Sequence, residues 1–407
     1  MDMTDTTSLR APRPASEPVS PPPETSPSLD SLVDATPPDR DRYVDLLRAM
    51  SIVVVIMWHW VFSVTHLNRH GALTMPNPVG DVPLLWSATW LLQIMPLFFF
   101  VGGFANLAAL EGVERHGGGW WAFTRKRLGR LLTPIGVFLA AWLVGDTVAR
   151  GLDPSYRGIL HWGVVVFVPL WFIGMYTLVV LLAPLTARLH RWGRELTVVA
   201  MGSAIALADL GRFHFDVESL SYVNSCLVFL FAHQLGYFWR DGTFTRWPRR
   251  TLWALTLGGF SLLVVITNMG VYPKSMVSVP RDAISNMFPT TACIAALALF
   301  QIGVAMLLRP AANRLLQRRR AWKLTVSVNA VAMTLFAWHM TALVAVIGIY
   351  RATGHELLDR PTGWWWLQRP LWLLAPGMVL AGLVAVFARF ELPVRSKVVR
   401  EDLPVGQ

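Results

Sequence analysis

Arg48 and His59 lie eleven residues apart on one apolar segment, Leu46 to Phe62. Eleven steps of about 100° return two helical side chains to nearly one face, roughly 16 Å apart along the axis. The spacing therefore puts a fixed cation near the end of a membrane-spanning helix and a titratable imidazole near its middle. Ionisable groups at bilayer depth are costly and mark function by default. A cation at the rim suits a long anionic donor, and an imidazole at depth suits a general base. The competing explanations are a snorkelling topology anchor for Arg48 and a hydrogen-bonded core histidine for His59.

Further groups extend this pair. Asp45, three residues before Arg48, can form an ion pair with it at the membrane boundary. Arg127 and Arg130 are also three apart, at the expected start of the third helix, and share a face. Two arginines at a helix N-terminus suit a phosphate ligand; the alternative is an ordinary positive-inside cluster. Trp171 could stack on a donor, line a cavity, or simply pack. His339, in mid-helix, could orient His59 or an acceptor, or serve packing. His66, seven residues past His59, would return to the same face and line an outer mouth or sit at the interface. His233 and Asn106 read as inter-helix hydrogen bonders, and Asp209 as a solvated group at the outer end of a helix. Cys226 and Cys293, the only cysteines, fall inside apolar runs. They imply neither a disulfide framework nor a metal site.

These residues need elements to hold them. Of 407 residues, 54% are hydrophobic and 15% charged, well below the charge of a soluble domain. Long apolar runs predict an all-α fold, a polytopic transmembrane bundle of about ten helices. The expected spans are near 46–66, 84–108, 131–149, 167–187, 196–210, 222–239, 251–268, 288–308, 326–349 and 371–390. The fifth is the shortest. Residues 158–167 are apolar but too short to span, and are expected to lie at the interface or re-enter. One alternating set of connections carries 22 Lys and Arg and the opposite set nine. Positive residues stay inside, so both termini are expected in the cytoplasm, with Arg48 at the cytoplasmic end of the first helix. The same topology accounts for the net charge of +11 without nucleic acid. External connections rich in aromatics, among them Tyr272, Trp364, Trp365 and Trp366, form either a substrate-facing vestibule or an aromatic belt. Residues 1–40 hold nine prolines with many Ser and Thr, and read as a disordered cytoplasmic tail rather than a signal peptide. The membrane domain is expected over 41–391 and a short cytoplasmic tail over 392–407.

Taken in order, the segments resemble a known family. Asp45-x-x-Arg48-x₁₀-His59 is followed by Pro96-Leu-Phe-Phe-Phe-Val-Gly102-Gly103-Phe104 and then by Arg127-x-x-Arg130-Leu131. This combination resembles the integral-membrane acyltransferase-3 family, as do Leu170-Trp171-Phe172-Ile173 and Phe336-Ala-Trp338-His339-Met340. The resemblance covers about residues 42–390. Gly102 stands where the family often has Ser, and Ala49 where it commonly has Gly. The family's fused esterase-like domain is expected to be missing, since no long extension follows the last helix.

The resemblance implies transfer of an acyl group from cytoplasmic acyl-CoA, most often acetyl-CoA, to a hydroxyl. The acceptor would be extracytoplasmic or membrane-associated: a cell-envelope carbohydrate, a glycolipid or a secreted metabolite. It implies a multi-pass protein of a bacterial plasma (inner) membrane, with the lipid bilayer and these substrates as partners and no metal. On this reading His59 is the general base and Arg48, Arg127 and Arg130 hold the donor's phosphates. Asp45, Trp171 and His339 support the site or line its cavity. The rival is a secondary transporter or flippase for a glycan or lipid-linked precursor. Such proteins often carry internal repeats, and none is evident here.

Overall fold

The computed structural model of the protein describes residues 29–37, 40–280 and 282–391, and these are mostly helical. In chain order the helices are α1 (Leu29–Asp34), α2 (Arg42–Val61), α3 (Leu85–Leu92), α4 (Met95–Arg115), α5 (Trp120–Leu152) and α6 (Ile159–Trp162). They continue with α7 (Leu170–Trp192), α8 (Arg194–His214), α9 (Leu220–Arg240), α10 (Thr243–Arg246) and α11 (Arg249–Thr267). The last are α12 (Ala292–Leu316), α13 (Arg319–Ala330), α14 (Ala332–Ala352), α15 (Gly363–Leu367) and α16 (Arg369–Phe387). A small antiparallel hairpin, β1 (His66–Leu67) with β2 (Leu73–Thr74), follows α2.

Among the described residues, nine segments are long and apolar enough to cross a membrane. The expected span at 222–239 is not among them. It is helix α9, 21 residues long, whose composition is too polar for the outside of a bundle. Asn224, His233 and Gln234 on α9 are all fully buried. Facing other helices, they bond within the protein and never meet hydrocarbon. By contrast α5 exposes Leu139, Leu143, Val144 and Val148, and α16 exposes Leu371, Leu374 and Met378. Those are faces suited to lipid.

The close packing of α4 on α9 comes from two glycines. A Cβ added to Gly103 would run into the backbone carbonyl of His233, and one on Gly236 into that of Phe100. The two backbones therefore touch, as small residues allow in membrane helices.

Several helix ends depart from the sequence reading. Asp41 caps α2 by accepting from the Tyr43 N–H, so the helix starts at Arg42. It ends at Val61, where the chain turns toward the hairpin and the Val64 N–H bonds to Pro76 O. His59 thus lies in the last turn of α2, not near its middle, and His66 lies in β1 rather than on the helix face of His59. The second span is broken into α3 and α4. Pro96 has no N–H to offer Leu92, and the Gln301 side chain from α12 donates to Trp90 O and Gln93 O instead, each at 3.0 Å. Helix α5 begins ten residues before Arg130, so Arg127 and Arg130 sit within it rather than at its start. Helices α13 and α14 divide the ninth span, and the Glu391 carboxylate accepts from the N–H groups of Met333 and Thr334 to cap α14.

The expected disorder of residues 1–40 does not hold at the end of that segment. Helix α1 is tied to α13 by Arg319 with Asp34 at 2.6 Å and Lys323 with Asp30 at 3.0 Å. Residues 1–28 and 392–407, most of the two expected tails, lie outside the described residues. Asp209 is not solvated. It is 2% exposed and accepts from Asn224 Nδ2, the Tyr272 hydroxyl and the Ala292 N–H, joining α8, α9 and the start of α12.

Candidate active site

The C-terminal end of α2, the α3–α4 break and the start of α7 surround a small chamber of about 170 Å³. Its walls are mostly apolar, with Trp58, Trp171, Phe172, Met95 and Phe336 among them. Of the described residues lining it, His59 is the one titratable group. Val277 and Met287, from the connection between α11 and α12, complete the wall. That connection is pinned to α3: Trp90 donates to Lys274 O at 2.8 Å, and the Met276 N–H bonds to the Thr89 hydroxyl.

The orientation of His59 is fixed. Its Nδ1 lies 2.9 Å from Val55 O, and His339 Nδ1 lies 2.6 Å from Phe336 O. A carbonyl only accepts, so each neutral ring carries its proton on Nδ1 and keeps a lone pair on Nε2. His339 Nε2 lies 3.3 Å from His59 Nδ1 and accepts a share of that N–H. His59 Nε2 is left as a lone pair with no hydrogen bond among the described residues. An imidazole held this way can accept a proton at Nε2. His339 then stabilises the cation through the shared Nδ1–H. His339→Leu is expected to slow any proton abstraction by His59 about 10- to 100-fold, the worth of one hydrogen bond to a charged group. Substrate KM stays unchanged, and steady-state kinetics in detergent measures both.

A second cavity, of about 490 Å³, is lined by Arg40, Arg48, Arg127, Arg130, Tyr176, Asn329 and Glu391. It brings together the three arginines singled out by sequence. Arg48 donates Nε to Asn329 Oδ1 at 2.6 Å and Nη2 to Asp45 Oδ1 at 3.0 Å. Asp45 is shared with Arg40, whose Nε lies 2.6 Å from the other carboxylate oxygen. This pairing raises the Arg40 pKa, chiefly through the hydrogen bond to Asp45. Burial pushes the Glu391 carboxyl above its ordinary value, opposed by the amides and hydroxyl it accepts from. Arg127 donates Nε to Asn106 Oδ1 at 2.8 Å, and Asn106 Nδ2 lies 2.9 Å from His233 Nε2. The two polar residues expected to bond between helices thus do so, and they also anchor Arg127 from behind.

The two cavities are neighbours. On three helices their linings are three residues apart: Ile52 and Val55 on α2, Met95 and Phe98 on α4, Met333 and Phe336 on α14. Three residues of helix rise are about 4.5 Å, the thickness of one side-chain layer. Phe172 lines both cavities. Its ring lies 4.9 Å from that of Phe98 and 5.1 Å from that of Phe336, centroid to centroid. One layer of aromatic rings therefore separates the arginine cavity from the His59 chamber.

The family model for acyltransferase 3, described as an acyltransferase domain, matches residues 41–389. The chain belongs to the acyltransferase-3 family. It is a multi-pass membrane acyltransferase by that membership and by its apolar helices. Comparison with curated proteins and with solved structures gives no match.

In this acyltransferase the residues singled out by sequence divide into three groups. His59, His339 and Trp171 gather at or against the chamber, while Arg48, Arg127, Arg130 and Asp45 gather at or beside the arginine cavity. His66 belongs to neither. It lines a separate cavity with Asp81 and Asp359. Sequence reasoning missed Arg40, which fell inside the segment read as disordered. It also missed Phe172 as a partition, although the residue stands in the Leu170-Trp-Phe-Ile segment already quoted. Glu391 and Asn329 carried no signal, because their role depends on contacts with residues far away in the chain.

Proposed function

We propose that the protein transfers a short acyl group, acetyl above all, from cytoplasmic acyl-CoA to the hydroxyl of an acceptor, with His59 as general base. The acceptor reaches the chamber from the other side of the bilayer or from within it. An envelope carbohydrate, a glycolipid or a secreted metabolite would supply such a hydroxyl. The reading rests on one observation above the others: the arginine cavity and the imidazole chamber lie one aromatic layer apart. The charge bias of the loops supports a cytoplasmic position for the arginine end and for both termini.

Arg48, Arg127 and Arg130 hold the donor's phosphates by charge-assisted hydrogen bonds. The pantetheine arm runs along α2, and the Arg48-to-His59 rise of roughly 16 Å is of the same order as its extended length. The thioester enters the chamber when the Phe172 ring turns aside. His59 Nε2 takes the proton of the acceptor hydroxyl as its oxygen attacks the thioester carbonyl. The new C–O bond forms, the C–S bond breaks, and the imidazolium returns the proton to the departing thiolate. The N-terminal end of α4 lies at the chamber wall, where its dipole favours the negative charge of the tetrahedral intermediate. The apolar walls and small volume favour a short acyl chain.

Purified protein in vesicles, given labelled acetyl-CoA and a membrane extract, is expected to move the label onto one acceptor species. Mass analysis of that species reads the acyl increment. No label transferred from any acyl-CoA, with folded protein, would refute the donor. Phe172→Ala is expected to raise hydrolysis of acetyl-CoA in the absence of acceptor by several-fold, because it thins the layer between carrier and chamber. Unchanged hydrolysis would remove Phe172 from the route.

A further inference from the structure

Arg127 and Arg130 do not face one cavity alone. They also line a fourth cavity, of about 540 Å³, together with Lys126, His116 and the apolar Val113 and Phe123. It lies between the end of α4 and the first turns of α5, on the side of the two arginines away from α14. Its size falls within the range of small-molecule sites. Lys126 and Arg130 are four apart on α5 and project from one face.

The charge in this cavity is unbalanced. Among the described residues no carboxylate lies within 4.0 Å of Lys126, Arg127 or Arg130. The acidic residues nearest on α4 are already engaged. Glu114 pairs with Arg191 at 2.7 Å, and Glu111 with Arg240 at 2.8 Å. An open cationic pocket whose neighbouring carboxylates are engaged elsewhere attracts an anion from outside the chain.

An acyl-CoA carries two separated anionic groups: a diphosphate joined to pantetheine, and a phosphomonoester on the 3′ oxygen of the ribose. We propose that this fourth cavity takes the nucleoside end of the donor and that Lys126 binds its 3′-phosphate. This rests on the acyl-CoA reading given above. Arg127 and Arg130, in the wall between the cavities, then hold the diphosphate. The pantetheine arm leaves through the 490 Å³ cavity toward Phe172. Half-buried Arg127, braced by Asn106, sets the turn between the two ends of the donor.

The test compares acetyl-CoA with its 3′-dephospho analogue as donors for the purified full-length protein in vesicles. The wild type is expected to show a KM about tenfold higher for the dephospho donor, the worth of one hydrogen bond to a charged group. Lys126→Ala should bring that ratio close to one, and Lys126→Arg should restore most of it. A ratio left intact by Lys126→Ala would overturn the assignment. So would a wild-type ratio of one with donor affinity set by the anionic-lipid content of the vesicles, which would give the cavity to a lipid headgroup phosphate. Transfer from neither donor would instead remove the acyl-CoA reading, and this subsite with it.

Discussion

His59→Ala is expected to lower acyl transfer by about 10²–10⁴-fold, the contribution of a positioned general base. The protein should still insert, fold and bind donor. The imidazole occupies the last turn of α2 and makes its hydrogen bonds to Val55 O and His339 Nε2. Removing it leaves the ladder of α2 intact. It strands only the Nε2 lone pair of His339, whose own Nδ1 remains bonded to Phe336 O. The transfer rate of the wild type should show an acid limb as His59 gains its proton, and that limb should be missing from the residual activity of His59→Ala. Full activity in the variant would eliminate the proposed base. An intact acid limb in the residual rate would place the base elsewhere.

Arg127→Ala is expected to raise donor KM by about 10- to 100-fold while kcat changes by less than about twofold, because one charge-assisted contact is lost in ground and transition states alike. Arg127 commits Nε to Asn106 and has its two terminal nitrogens free of ion pairs within the described residues. A lysine cannot serve both directions, since it lacks the planar fork. Arg127→Lys should therefore behave much more like the alanine variant than like the wild type. Isothermal titration with acetyl-CoA checks the affinity directly. Unchanged affinity in Arg127→Ala would take that residue out of the donor site.

The helical bundle, most of its spans and the residues that line the chamber and the arginine cavity are legible in the sequence. Hydrophobic runs are local properties and report directly on burial in lipid, while loop charge bears on which side a loop faces. Helix ends were less legible. The apolar run of α2 continues past Val61, yet the chain leaves the helix there to build the hairpin, so His59 stands in the last turn rather than near the middle of its helix. The break at Gln93 follows from Pro96 together with Gln301, two hundred residues on, and only the first of these can be read locally. Helix α9 hid its polarity in the centre of the bundle, where hydropathy stops being a guide to membrane depth. Asp209 reads as a solvated end group in the sequence because its three partners lie on other elements. Residue type alone suggests that His339 could orient His59. Nothing in the spacing of residues 280 positions apart could have set their 3.3 Å contact.

The proposed reaction requires the acyl group to cross from the arginine cavity into the imidazole chamber. The direct measurement is a structure of the protein with a thioether analogue of acetyl-CoA, whose acyl end cannot be transferred. The analogue should lie with its phosphates against Arg127 and Arg130, the Phe172 ring displaced, and its terminal carbonyl carbon about 3–4 Å from the space beside His59 Nε2 that an attacking hydroxyl would fill. An analogue bound with its acyl end outside the chamber, and Phe172 still closing the way to His59, would contradict it.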